Sequence, residues 1–178
     1  MSRWLRAVAV LAAICGGAAC PALAGEAGTA TGVDVLRAYA GTWKVEKENL
    51  ATAESKAGHE SNMLRNDCWQ SGGYFVCDQF VNGESKALLV FTYDAARKVY
   101  TSYPVPTDGS SAGKGRLMIE GNVWTFPWQT GEGAGATFFR VVNVFVSPAR
   151  IEFRQEFSRD GKQWTVMARG AETRIATP

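Results

Sequence analysis

From Gly41 to the end of the 178-residue chain, apolar and polar residues alternate in short runs separated by turn residues, and no run keeps helical spacing. Period-two alternation puts one face of a segment in a core and the other in water, the pattern of a half-buried β-strand. Trp43, Val45 and Lys47 alternate with Lys44, Glu46 and Glu48, while Ile151, Phe153 and Phe157 face away from Arg150, Glu152, Arg154 and Glu156. Further runs fall at 60–70, 73–82, 86–94, 98–104, 114–120, 122–128, 136–147 and 162–175. The connections are short and rich in turn formers: Asn82-Gly83, Tyr93-Asp94-Ala95-Ala96, Glu120-Gly121-Asn122, Ser147-Pro148 and Asp160-Gly161. Successive hairpins place sequence neighbours side by side, and closing the sheet removes both unpaired edges. The expected fold is therefore all-β: an antiparallel up-and-down barrel of about ten strands in a single domain, residues 25–178. A two-sheet sandwich would need longer crossovers than these loops supply.

Residues 1–24 read differently. Arg3 and Arg6 precede an apolar run at 7–14 that is too short to span a bilayer, and Ala22-Leu23-Ala24 is a small-x-small cleavage signal. The pattern is that of a secretory signal peptide cut after Ala24, which predicts a periplasmic or secreted protein. Lipidation at Cys20 is the competing reading, but Gly17 stands where such sites carry a large aliphatic residue. Cleavage leaves 154 of the 178 residues and removes two of the 19 basic residues, which then balance the 17 acidic ones. A neutral chain with scattered charge has no electrostatic footprint for nucleic acid, and no later segment has the apolar length of a membrane span.

Two cysteines remain after cleavage, Cys68 and Cys77, flanking Ser71-Gly72-Gly73-Tyr74. With Gly72-Gly73 as a two-residue hairpin loop, Cys68 faces Cys77 on a non-hydrogen-bonded rung, where Cα atoms are about 4.5 Å apart. An oxidising compartment favours a disulfide there over free thiols or a metal pair. Upstream, Thr31 can cap a short helix of about two turns, with Asp34 three positions on, with Val33, Leu36, Arg37 and Ala40 along one stripe, and with Gly41 ending it. The Gly-rich stretches 104–115 and 130–135 are candidates for a barrel mouth or lid.

Candidate chemistry is thin. The single histidine, His59, lies in a polar stretch near a strand start, where a solvated role is commoner than a catalytic or metal-binding one. No metal, haem or other cofactor is expected, and no catalytic residue stands out. Gly109-Ser110-Ser111-Ala112-Gly113-Lys114-Gly115 is one residue short of a phosphate loop, lacks its Ser or Thr, and leads into a strand. Glu46 with Glu48, and Glu152 with Glu156, share strand faces with Lys44, Arg150 and Arg154, the mixture of a solvated outer surface. Asp67 and Asp78 have the parity of Trp69 and Val76, opposite to the cysteines, so one could reach inward.

Aromatic residues carry the strongest signal. A ten-strand barrel is too wide for side chains to fill, and Trp124, Phe126 and Trp128 share one face of one strand. Tyr100, Trp124, Phe126, Trp128, Phe139, Phe153 and Trp164 are the candidates for a cavity wall, with plain core packing as the alternative for each.

Gly41-Thr42-Trp43 after a short helix resembles the Gly-x-Trp opening of lipocalins and the wider calycin superfamily. Gly72-Gly73-Tyr74-Phe75-Val76, Phe91-Thr92-Tyr93-Asp94 with Tyr100, Gly115 and Gly121, and Asp160-Gly161-Lys162-Gln163-Trp164 with Arg174 are similar to exported bacterial lipocalin-like proteins of unknown function. The resemblance implies that Trp43 packs under one barrel end and is covered by an arginine, Arg174 or otherwise Arg169, in a structural cation–π pair. Lacking a histidine near its C-terminus, the chain departs from the haem-binding calycins. Three function classes follow: a container for a small apolar or amphipathic molecule, a filled barrel docking a periplasmic protein through loops 104–115 and 130–135, and an enzyme using Tyr, Asp or Arg groups in its interior.

Overall fold

The computed structural model describes residues 32–110 and 112–175. The expected signal peptide, residues 1–24 with Cys20, and the expected cap Thr31 lie outside them. A 3-10 helix, Gly32–Tyr39, leads into ten strands: β1 Gly41–Asn49, β2 Gly58–Ser71, β3 Tyr74–Val81, β4 Glu84–Asp94, β5 Val99–Pro106, β6 Gly115–Glu120, β7 Val123–Thr130, β8 Thr137–Ser147, β9 Arg150–Ser158 and β10 Thr165–Arg174. Each strand pairs antiparallel with the next, and β1 also pairs with β10, closing the barrel. The helix is more tightly wound than an α-helix, with about three residues per turn. Its closing bond runs from the Ala40 N–H to the Arg37 carbonyl, while the Ala38 carbonyl accepts from Arg174 and the Tyr39 carbonyl from Trp43 and Asn66 rather than from a continuing helix.

The two ends of the barrel differ. At the helix end the strands are joined by short turns at 72–73, 95–98, 121–122 and 148–149. Leu36 from the helix packs there with Phe75, Cys77, Phe91, Leu117 and Trp124, and Trp43, Leu64 and Ile151 form the adjoining cluster. Burying these side chains, at about 1.5–3 kcal/mol each, makes this half the solid core. The opposite end carries the longer connections, among them 107–114, 131–136 and 159–164. Both Gly-rich loops singled out in the sequence therefore lie at one end, opposite the helix.

Trp43 and Arg174 lock the helix to the barrel. Trp43 is fully buried, its indole N–H donates to the Tyr39 carbonyl at 3.2 Å, and the Arg174 guanidinium lies 4.1 Å from its ring centroid. That guanidinium donates to the carbonyls of Ala38 at 2.8 Å, Ala40 at 2.5 Å and Pro148 at 3.0 Å. Gly41 is needed for the crossing: its φ is +114°, and a Cβ would sit 2.5 Å from Arg174 Nη1. Arg174, and not Arg169, takes the covering role; Arg169 instead pairs with Glu48 on the outside at 2.7 Å.

Cys68 and Cys77 are disulfide-bonded across the β2–β3 hairpin with Cα atoms 4.0 Å apart, in the register read from the sequence. Cys77 points into the core, so Asp67 and Asp78 point out: Asp67 pairs with Arg65 at 3.3 Å, and Asp78 accepts from the Ser85 hydroxyl at 2.7 Å.

The wall is not uniformly knit. β6 pairs with β5 only over Tyr100–Ser102 and with β7 only over Val123–Thr125, so the half of this wall opposite the helix lacks a continuous ladder. Pro104, Pro106 and Pro127 fall in that half. Proline has no N–H to give a ladder, which is why a sheet loosens where such residues cluster.

Candidate functional site: a half-open barrel interior

Beyond the core the barrel encloses a cavity of about 980 Å³. Phe126, Val141, Phe153, Leu89, Phe91 and Leu64 supply its apolar wall. Trp128, Gln129, Phe138 and Lys114 stand on strands or loops at the end opposite the helix, and Pro104, Gly113, Gly115 and Pro127 border it along the loosened wall.

The floor is polar. Tyr39 ends the helix and turns its ring toward Trp124 and Phe126, 6.3 and 6.4 Å between centroids. Its carbonyl is held by Trp43 and by the Asn66 side-chain amide at 3.2 Å, and Asn66 in turn accepts from Gln79 at 3.2 Å. Asn143 of β8 and Glu172 of β10 join Tyr39 in lining this end of the cavity. Asn143 is 2 % exposed and Glu172 7 % exposed. Asn143 Oδ1 and Glu172 Oε2 are buried acceptors for which the described residues provide no donor. Burial holds the Glu172 carboxyl up at about 7, because leaving water penalises its charged form. Burial first, and the Glu172 charge second, push the Tyr39 phenol well above its ordinary value; a hydrogen bond with the Asn143 side chain opposes them.

Of the seven aromatic residues proposed as cavity wall, Phe126, Trp128 and Phe153 border the cavity. Phe139 stacks on Trp128, 5.4 Å between centroids and 12° between planes, and backs it. Trp124 lies in the solid core against Phe145 at 4.5 Å, and Tyr100 joins that core with its hydroxyl donating to the Gly32 carbonyl at 2.9 Å. Trp164 is on the outside. It precedes β10 and covers the outward-pointing Arg140, whose guanidinium lies 4.0 Å from its ring. Arg140 and Arg154 both pair with Glu156, which is thereby buried on the outer surface instead of solvated.

A second depression, about 760 Å³, runs along the outer charges of β1, β9 and β10 and reaches His59. Its charges are spoken for locally, with Arg169 on Glu48 and Arg150 3.4 Å from Glu152. Among the described residues no three His, Cys, Asp or Glu side chains gather as a metal site would require, and no helix is long and apolar enough to cross a membrane.

The floor residues Tyr39, Asn143 and Glu172 were missed in the sequence, though a signal was there. Placing Arg174 over Trp43 sets the inward parity of the last strand and turns Glu172 inward with it; placing Phe139 inward does the same for Asn143.

No protein-family model and no curated protein matches the chain. Among solved structures, the chain is similar to the crystal structure of Rv2717c from M. tuberculosis, with a TM-score of 0.47 and 10% identity over 81% of this chain and 97% of that one.

Proposed function

We propose that this chain is an exported lipocalin-like barrel that binds a small hydrophobic or amphipathic molecule in its open half. The cavity carries the reading. Its volume of about 980 Å³ falls at the upper end of small-molecule sites, and its mostly apolar wall over a few convergent polar groups is the usual composition of such sites. Phe126, Trp128 and Phe153 are the contact residues of this reading, with Phe139 supporting Trp128. Export, to the periplasm or beyond, is supported by the pattern of residues 1–24 and by a disulfide of the kind that persists in oxidising compartments. The protein-docking alternative began from a filled barrel, and the cavity supports the container over it.

Fluorescence titration with the neutral apolar dye N-phenyl-1-naphthylamine tests the container. The reading expects saturable enhancement, weakened by Trp128→Ala and untouched by Trp164→Ala. Enhancement that never saturates, or that both substitutions leave alone, contradicts it.

One observation favours a second reading, an enzyme. A carboxyl held near 7 beside a phenol in a cavity is equipped to take and return a proton at neutral pH. Turnover abolished by Glu172→Gln, with dye binding intact, would establish that role; dye binding without turnover across ester, lactone and epoxide substrates leaves the container alone standing.

A further inference from the structure

The cavity floor bears on the kind of head group a ligand presents. Tyr39, Asn143 and Glu172 come from three separate elements, the helix, β8 and β10, and converge at the inner end of the cavity. What they leave unmatched is one-sided. Asn143 Oδ1 and Glu172 Oε2 are both acceptors, both buried, and the described residues offer neither a donor. Buried acceptors are normally satisfied, and a bare carboxylate in an apolar setting is penalised unless a positive group with N–H donors reaches it. Among the described residues no cation fills that role. Lys47 pairs with Glu60 at 2.9 Å, while Lys114 and Arg116 border the cavity with exposed side chains.

We propose that the floor receives the ammonium group of an amphipathic amine, whose N–H groups donate to Glu172 Oε2 and Asn143 Oδ1 while its apolar body lies against Phe126, Val141 and Phe153. The proposal rests on the container reading and adds the ligand's polarity to it. An ammonium supplies several donors and one positive charge in a compact group, matching two acceptors of which one ionises. Once Glu172 is ionised, a carboxylate head would meet two acceptors and a like charge, and a hydroxyl head would satisfy one acceptor and leave the charge uncompensated. Exposed Lys114 and Arg116 act on a ligand's approach through screened water, so they weigh little against a desolvated contact at the floor.

Binding then couples to a proton. The amine pairs with ionised Glu172, so a carboxyl held at about 7 must release its proton first. The other charged or titratable groups bordering the cavity are Tyr39, Lys47, Glu60, Lys114 and Arg116.

Isothermal titration calorimetry with decylamine, decanol and decanoate, each below its micelle concentration, on the disulfide-intact protein and on Glu172→Gln tests the proposal. Decylamine is expected to bind about tenfold or more tighter than decanol, decanoate weakest, a preference of the size a charge-assisted hydrogen bond provides. Glu172→Gln should abolish most of that preference and leave decanol binding within about twofold. Decylamine affinity should rise about tenfold between pH 6 and pH 8 in the parent protein and stay nearly flat in the variant. Decanol binding as well as decylamine, decanoate binding best, or a preference that survives Glu172→Gln would overturn the proposal while leaving the container intact. If none of the three ligands binds, the container reading fails and this inference with it.

Discussion

Trp124 and Trp128 stand four residues apart on one face of β7, yet Trp124 is 3 % exposed among the helix-end core residues and Trp128 46 % exposed where the cavity opens. A face of the barrel wall thus changes role along its length, from core to container. Their substitutions should separate accordingly. Trp124→Ala is expected to destabilise the fold by about 3–5 kcal/mol, the range for an aromatic removed from a core. Trp128→Ala should cost under about 1 kcal/mol in stability, as a half-exposed site does, and weaken dye binding instead. Urea unfolding alongside dye titration of both variants checks the division.

The Arg174 guanidinium combines a stacking contact with donors to the carbonyls of Ala38, Ala40 and Pro148. Arg174→Ala removes all of these and leaves carbonyls at the barrel base without donors, so a loss of about 2–3 kcal/mol is expected in urea unfolding. Arg174→Lys should recover under half of it, because an ammonium cannot lie flat on Trp43 and reach carbonyls on both sides. Gly41→Ala should be comparably damaging, through its positive φ and the 2.5 Å approach to Nη1.

Reducing the Cys68–Cys77 bond opens a short loop, nine residues apart in sequence. In the chain-entropy picture this lowers stability by about 2.5 kcal/mol. Because Cys77 sits in the helix-end core, dye affinity should hold as long as the barrel stays folded. Denaturant midpoints with and without reductant, and dye titration of the reduced protein below its midpoint, check both parts.

Glu172 predicts a pH dependence of definite sign. The folded chain keeps this proton up to about pH 7, whereas the unfolded chain releases it near the ordinary 4.5. Between those values the folded state binds more protons, so this group's contribution to stability falls as pH rises and is flat above 7. Glu172→Gln removes the effect. The variant should match the parent near pH 4 and be more stable at pH 8 by up to about 3 kcal/mol. Carboxylates whose values are lowered by partners, such as Glu46 beside Lys44 and Glu60 beside Lys47, act in the opposite direction, but they are common to both proteins and drop out of the difference. Thermal melts of the pair across pH 4–8 make the comparison.

Alternation made the strands legible, and the Gly-Gly hairpin between the cysteines set the β2–β3 register outright, because side-chain period and turn geometry are both local. Facing could be read at Trp43, but not at the β2–β3 hairpin, where parity left Asp67 or Asp78 free to turn inward and Cys77 takes the core instead. Height along the barrel axis could not be read. Trp124 and Trp128 have the same parity, and whether an inward residue meets the helix plug or the cavity depends on strand tilt and on where Leu36 sits. Trp164 misled for a different reason: it belongs to the loop before Thr165, where alternation has not begun, and a loop tryptophan is free to fold over the outer wall onto Arg140. Glu156 departed from its strand face for another reason: Arg140 and Arg154 both pair with it and bury a carboxylate whose position marks it as solvated. The loosened wall had a sequence trace in Pro104, Pro106 and Pro127, three residues without a ladder donor in segments otherwise patterned as strands.

Native mass spectrometry of the protein purified gently from the cells that make it tests the container most directly. A reproducible extra mass of a few hundred daltons is expected, a size set by a cavity of about 980 Å³, departing on denaturation and reduced in occupancy by Trp128→Ala. A bare chain in every preparation, together with no saturable uptake of apolar or amphipathic molecules by the purified protein, would contradict it.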